Sequence, residues 1–118
     1  MVSVLVERNS GKTIKAFEVK GHSGYDEAGR DIVCAAVSAI AYTAAGALGE
    51  LAGMPGCYTE SPGYMRIELP NDIDDIKMPV IDTIMNMSYI GFRQIEGSYP
   101  EHLKVVEKSD AASKRENE

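Results

Sequence analysis

The 118-residue sequence has no tryptophan, two cysteines, two histidines and only 7% aromatic residues. Each scarcity narrows the class. Small secreted domains depend on several disulfides, and Cys34 and Cys57 are too few for such a framework, so both read as free thiols. Basic residues form no run longer than Lys114-Arg115, and the formal net charge is -6. Nucleic-acid binding normally shows as a clustered basic face, so direct contact with DNA or RNA is not expected. Met1 to Arg8 lacks both the basic start and the apolar length of a signal peptide. The longest apolar stretch, Ile32 to Leu48, is interrupted by Ser38, Tyr42, Thr43 and Gly46, and reads as a buried core helix rather than a membrane span. A soluble, cytoplasmic protein without a membrane partner is the expectation.

What is present fits one hydrophobic core, with residues 1–108 as the domain and Ser109 to Glu118 as a polar, disordered tail. Val2, Val4 and Val6 fall on one face of a strand over Val2 to Arg8. Turn residues Asn9 to Lys12 lead into a second strand, Thr13 to Lys20, whose alternation slips at Ala16-Phe17, as either a bulge or cover on both faces would cause. Gly21 to Arg30 has no periodicity and reads as a loop. Asp31 is a good N-cap type for a helix over Ile32 to Leu51 that is apolar around most of its circumference. Such a helix needs a sheet on one side and a second helix or a partner subunit on another. A hairpin follows, from Cys57 to Glu60 and Tyr64 to Leu69. A second helix begins near Asp74 to Pro79, with Ile76, Val80, Ile84, Met87 and Ile95 as its apolar row and Ile81, Met85 and Phe92 beside it. His102 to Glu107 closes the fold. The order β-β-α-β-β-α-β predicts an α+β domain with a mixed, mostly antiparallel sheet of about five strands and two helices.

The segment that carries chemistry is Gly21-His22-Ser23-Gly24-Tyr25, followed by Gly29 to Ser38. With Asp31 as N-cap, Cys34 is the third helical residue. Unpaired first-turn amides and the positive end of the helix dipole there favour a thiolate, the reactive form of cysteine. First-turn amides, that of Cys34 included, are candidate oxyanion donors. His22, at the end of a strand and next to a loop that returns to the helix, is a candidate base for the thiol proton. Asp31 is a candidate to orient the imidazole, to cap the helix, or to do both, although the two roles compete for the same carboxylate oxygens. Ser38 lies one turn after Cys34 on the same face.

Structural readings stand beside each role. Cys34 fits as a small packed hydrophobe, His22 as a structural residue, and Ser38 as a hydroxyl bonded back to the carbonyl of residue 34. A zinc site from His22, Cys34, Cys57 and His102 lacks the paired ligand spacing such sites use, so no metal or cofactor is expected.

The run Gly21-His22, Gly29 and Asp31-Ile32-Val33-Cys34-Ala35-Ala36-Val37-Ser38 resembles the Prp family, the ribosomal-processing cysteine proteases of Firmicutes and related bacteria. Length, element order, Gln94-Ile95-Glu96 and Tyr99-Pro100 agree, and only the tail after about Lys108 has no match. The resemblance implies Cys34 as nucleophile, His22 as general base, and Asp31 and Ser38 as motif positions near the site. It also implies a homodimer whose substrate is the N-terminal extension of a large-subunit ribosomal protein precursor. Ser23 departs from the small residue expected after the family histidine, which bears on loop packing. Gly21, Gly24 and Gly29 would allow the substrate loop to open and close. Two rival functions keep the same fold: a non-catalytic ribosome-associated binding module, and a thiol hydrolase of another acyl substrate.

Overall fold

The computed structural model of the protein describes residues 1–10, 12–21 and 28–110, with the backbone alone at 28–31. Its elements run β1 (Val2–Arg8), β2 (Ile14–Lys20), α1 (Ala28–Ala52), β3 (Tyr58–Ser61), β4 (Tyr64–Glu68), a short 3-10 turn (Asp75–Lys77), α2 (Met78–Ser98) and β5 (Leu103–Ser109). The five strands form one sheet in the order β3-β4-β2-β1-β5. β1 and β5 are parallel, and all other pairs are antiparallel. This is the expected α+β architecture. β5 extends to Ser109, and beyond it Asp110 accepts a bond from the Lys15 ammonium at 2.8 Å.

The period of two along β1 decides what the sheet buries. Val2, Val4 and Val6 are fully buried on the face that meets the helices. Phe17 and Val19 pair with Val6 and Val4 on that face, and the register slips between Glu7 and Arg8 opposite Ala16 and Ile14. The irregularity falls at Lys15, one residue before the broken alternation, and Ala16 and Phe17 are both buried. Phe17 meets Phe92 of α2 edge to face, with ring centroids 5.1 Å apart. The opposite face is a charged ladder on which Arg66 reaches Glu7 at 2.9 Å, Glu68 at 3.0 Å and Glu18 at 3.4 Å. An antiparallel sheet can carry such a face because its other side alone supplies the core.

α2 begins where its sequence signals place it. Asp74 accepts a bond from the Ile76 amide at 3.0 Å, and Pro79 sits in the first turn, where its missing N–H costs no bond. The buried row differs from the one expected. Ile81, Ile84, Met85, Ser88 and Phe92 face the core. Ile76 precedes the helix at 84% exposure, and Val80 and Met87 turn outward. A polar residue in the core row hides it from a hydrophobicity reading. Ser88 is tolerated there because its hydroxyl bonds back to the Ile84 carbonyl at 2.8 Å.

Candidate active site

α1 starts earlier than the sequence suggests. It begins at Ala28, so Asp31 is its fourth residue and Cys34 its seventh. Asp31 is therefore not the N-cap, because a cap residue stands outside the helix with non-helical backbone angles. Ala28 and Arg30 are good helix formers, and they carry the helix back past the aspartate. The Cys34 amide consequently lies beyond the first turn, within the intrahelical ladder, and not among the unpaired amides of the helix start. Gly29 is the second residue of α1 rather than a loop residue. His22 and Gly24 lie outside the described residues.

Cys34 is 7% exposed and packs in the main core cluster. Ser38, one turn later, is half-buried, and its hydroxyl donates to the Met65 thioether at 3.9 Å instead of back to the helix. On α2 the short polar side chains do the opposite: Ser88 and Thr83 bond to carbonyls four residues back, at 2.8 and 2.9 Å. Ser38 thus points off its own helix toward β4, on a weak acceptor. Further along the same stripe, Tyr42 donates to Glu60 of β3 at 2.9 Å and stacks at a tilt on Tyr58, 5.6 Å between centroids.

These contacts fix where Cys34 sits relative to the sheet. Met65 pairs with Glu60, and Tyr58 pairs with Ile67. From Ser38 to Tyr42, α1 therefore advances away from the turn that joins β3 to β4. Cys34 lies one helical turn the other way, about 6 Å toward that turn. The end of β2 reaches the same place. Gly21 donates its amide to Gly63 in the turn at 3.1 Å, and the next residue in the chain is His22. The topology brings the chain entry to His22 and the Cys34 turn of α1 to one end of the sheet.

Gly21 has φ +91°, and a Cβ there would stand 2.5 Å from the Met1 carbonyl oxygen. The structure thus requires glycine at 21 for a close backbone approach, a reason separate from loop motion. Cys57 lies beyond the far end of α1, immediately before β3. Its thiol donates to the Met54 carbonyl at 3.6 Å, and burial pushes its pKa up. Among the described residues, no three His, Cys, Asp or Glu side chains converge on a point that could hold a metal ion.

Met65, Tyr42 and Glu60 are absent from the site residues that the sequence singles out. Tyr42 alone has a sequence signal, the spacing of four that continues Cys34 and Ser38 along one helix face.

The sequence model of the family described as Cysteine protease Prp matches residues 1–104. The ribosomal processing cysteine protease Prp of Bacillus subtilis (strain 168) is 30% identical over 108 residues, covering 90% of this chain and 96% of that one. A crystal structure from Streptococcus mutans superposes with a TM-score of 0.81 at 27% identity, over 92% of this chain and 95% of that one. The Staphylococcus aureus ribosomal processing protease Prp, solved with a substrate peptide, has the same fold at a TM-score of 0.80 and 22% identity, over 92% of this chain and 100% of that one. With a match that spans β1 to β4, both helices and the first two residues of β5, this chain belongs to the Prp family of cysteine proteases.

Proposed function

We propose that the protein removes the N-terminal extension of a large-subunit ribosomal protein precursor, with Cys34 as nucleophile and His22 as general base. The observation that carries this reading is the family match across residues 1–104, which contains both positions. The meeting of the β2 exit and the Cys34 turn at one end of the sheet supports it. His22 takes the Cys34 thiol proton, and the thiolate adds to the scissile carbonyl. The tetrahedral intermediate collapses to a thioester as His22 returns the proton to the leaving amine. Water, deprotonated by His22, then adds to the thioester, the C–S bond breaks, and the carboxylate product leaves with the thiol restored. Asp31 orients the imidazole, and Ser38 supplies a hydroxyl on the same helix face. Gly24 lets the loop close on the bound peptide. The reaction takes place in the cytoplasm, where ribosomal proteins are made.

The working form is a homodimer. α1 contains a segment, Ile32–Ala52, long and apolar enough to cross a membrane, yet only 33% of its most apolar window is buried in this fold. Ile32, Met87 and Ile90 are each more than half exposed, and the groove between the helices is lined by Ile40, Ala47, Ile84 and Ile90. A second copy would cover this surface, and an Ile90→Lys variant should then sediment as a monomer.

The deciding experiment incubates the protein with the unprocessed N-terminal peptide of the organism's own ribosomal protein, beside a Cys34→Ala variant. Cleavage by the wild type alone is the expected result. No cleavage by the wild type would remove the substrate assignment.

A further inference from the structure

When sulfur adds to a scissile carbonyl carbon, the carbonyl electron pair moves onto oxygen, and that oxygen needs a hydrogen-bond donor close to the nucleophile. The Cys34 amide does not supply it. As the seventh residue of α1, Cys34 gives its N–H to the helix ladder. Ser38 carries the first hydroxyl along α1, one turn or about 6 Å after Cys34. Helical side chains lean toward the N-terminus of their helix, so the Ser38 hydroxyl lies over the turn that carries Cys34. A helical serine ordinarily returns its bond to the carbonyl four residues back, as Ser88 does at 2.8 Å. Ser38 donates instead to the Met65 sulfur at 3.9 Å, a weak acceptor. Met65 is 1% exposed on β4, between Val19 of β2 and Glu60 of β3, so close packing holds that sulfur in place.

We infer that Met65 is a positioning residue: its sulfur keeps the Ser38 hydroxyl off the Cys34 carbonyl, so that Ser38 donates to the oxyanion of the tetrahedral intermediate. The inference rests on the proposal that Cys34 is the nucleophile. A hydroxyl on a thioether turns toward a negatively charged oxygen at little cost, because the bond it leaves is weak and the one it gains is charge-assisted. A hydroxyl already on the Cys34 carbonyl would first have to break a bond of ordinary strength. Without the sulfur, that carbonyl becomes the acceptor within easiest reach. Met65 thus acts on the reaction through Ser38 alone.

The test compares wild type, Met65→Leu, Ser38→Ala and the double variant on the unprocessed N-terminal peptide of the organism's own ribosomal protein. Ser38→Ala should lower kcat by about a hundredfold or more, as loss of one oxyanion donor does. Met65→Leu keeps the volume and removes the sulfur. Its kcat should fall by about three- to tenfold, the factor set by one net hydrogen bond to the backbone. KM should stay unchanged, because the contact is made only in the transition state. In the Ser38→Ala background the same substitution should change nothing, which a core defect would not reproduce. Norleucine in place of the methionines removes the sulfur with still less change of shape, and should slow the Ser38 enzyme by the same factor even where Met65→Leu unfolds. Sulfur-free enzyme with wild-type kcat, or equal slowing in the Ser38→Ala background, overturns the role of Met65. Ser38→Ala with wild-type kcat overturns the donor itself. A wild-type protein that leaves the peptide whole overturns the substrate reading on which both rest.

Discussion

The amide of Gly21 donates to the Gly63 carbonyl while the Met1 carbonyl oxygen fills the space a side chain would need. One residue thus joins the end of β2, the β3–β4 turn and the first strand at the end of the sheet where the chain passes into His22. Gly21→Ala should lower stability, because left-handed φ costs an L-residue roughly 1–2 kcal/mol before the contact with Met1 is relieved. A domain of this size loses about 4–8 °C in Tm for each kcal/mol. Gly46 provides the opposite sign. It lies inside α1 with open space for 4 Å around the point a Cβ would occupy, so Gly46→Ala should raise stability by about 0.5–1 kcal/mol. Thermal unfolding of the two variants beside the wild type checks both signs, and a Gly21→Ala protein as stable as the wild type would remove the close-approach argument.

Phe92 is fully buried and holds Phe17 edge to face, which couples α2 to the centre of the sheet. Phe92→Ala should cost about 3–5 kcal/mol by combining lost transfer energy with the cavity left behind. Phe92→Leu should cost less, since it keeps most of the volume. Urea midpoints at constant slope separate the two, and a loss below about 1 kcal/mol for the alanine variant would mean that the core collapses around the gap.

Much of this arrangement is legible in the sequence, and the misses have identifiable causes. The strand faces follow from strict alternation at Val2, Val4 and Val6, and the break at Ala16-Phe17 marks two consecutive buried residues beside the register shift. The start of α1 differs from its sequence signal because Asp31 has the chemistry of a cap while Ala28 and Arg30 have the propensity to continue a helix, and local propensity prevails. The core row of α2 is offset because Ser88 interrupts it, and its hydroxyl is satisfied within the helix. Tyr42 and Glu60 are 18 residues apart on different elements. No periodicity within either element announces that they meet, since the contact exists only after β3 is placed at the sheet edge.

Glu107 makes acid stability specific. Its carboxylate accepts bonds from the Tyr89 hydroxyl at 2.6 Å, Arg93 at 2.8 Å and Arg8 at 2.9 Å. These partners hold its pKa down from 4.5 to about 2. A carboxyl with a lowered folded pKa stabilises the fold above its unfolded value and loses that contribution as pH falls through the folded one. The window is therefore roughly pH 4.5 down to 2, and Glu7 and Glu96, also lowered, act in the same direction. Partial exposure and salt reduce the size of the effect. Urea midpoints at pH 7 and pH 3 should fall less between the two conditions for Glu107→Gln than for the wild type. Equal falls would show that the network contributes nothing measurable.

The two thiols should differ in rate because their surroundings differ in kind. Cys57 donates to the Met54 carbonyl, and burial holds its proton on, so little thiolate exists at neutral pH. Cys34 is shielded by the core, being only 7% exposed, and access alone would make it the slower of the two. If His22 takes its proton, the reactive form outweighs that shielding, and a small alkylating reagent should modify Cys34 at least about tenfold faster at pH 7. Mass spectrometry of Cys34→Ser and Cys57→Ser proteins assigns each rate to its site. His22→Ala should then slow Cys34 alone and leave Cys57 unchanged. Equal rates at the two cysteines, or a Cys34 rate indifferent to His22, would return Cys34 to the role of a packed small side chain. The expected pattern instead ties its reactivity to the histidine that follows Gly21.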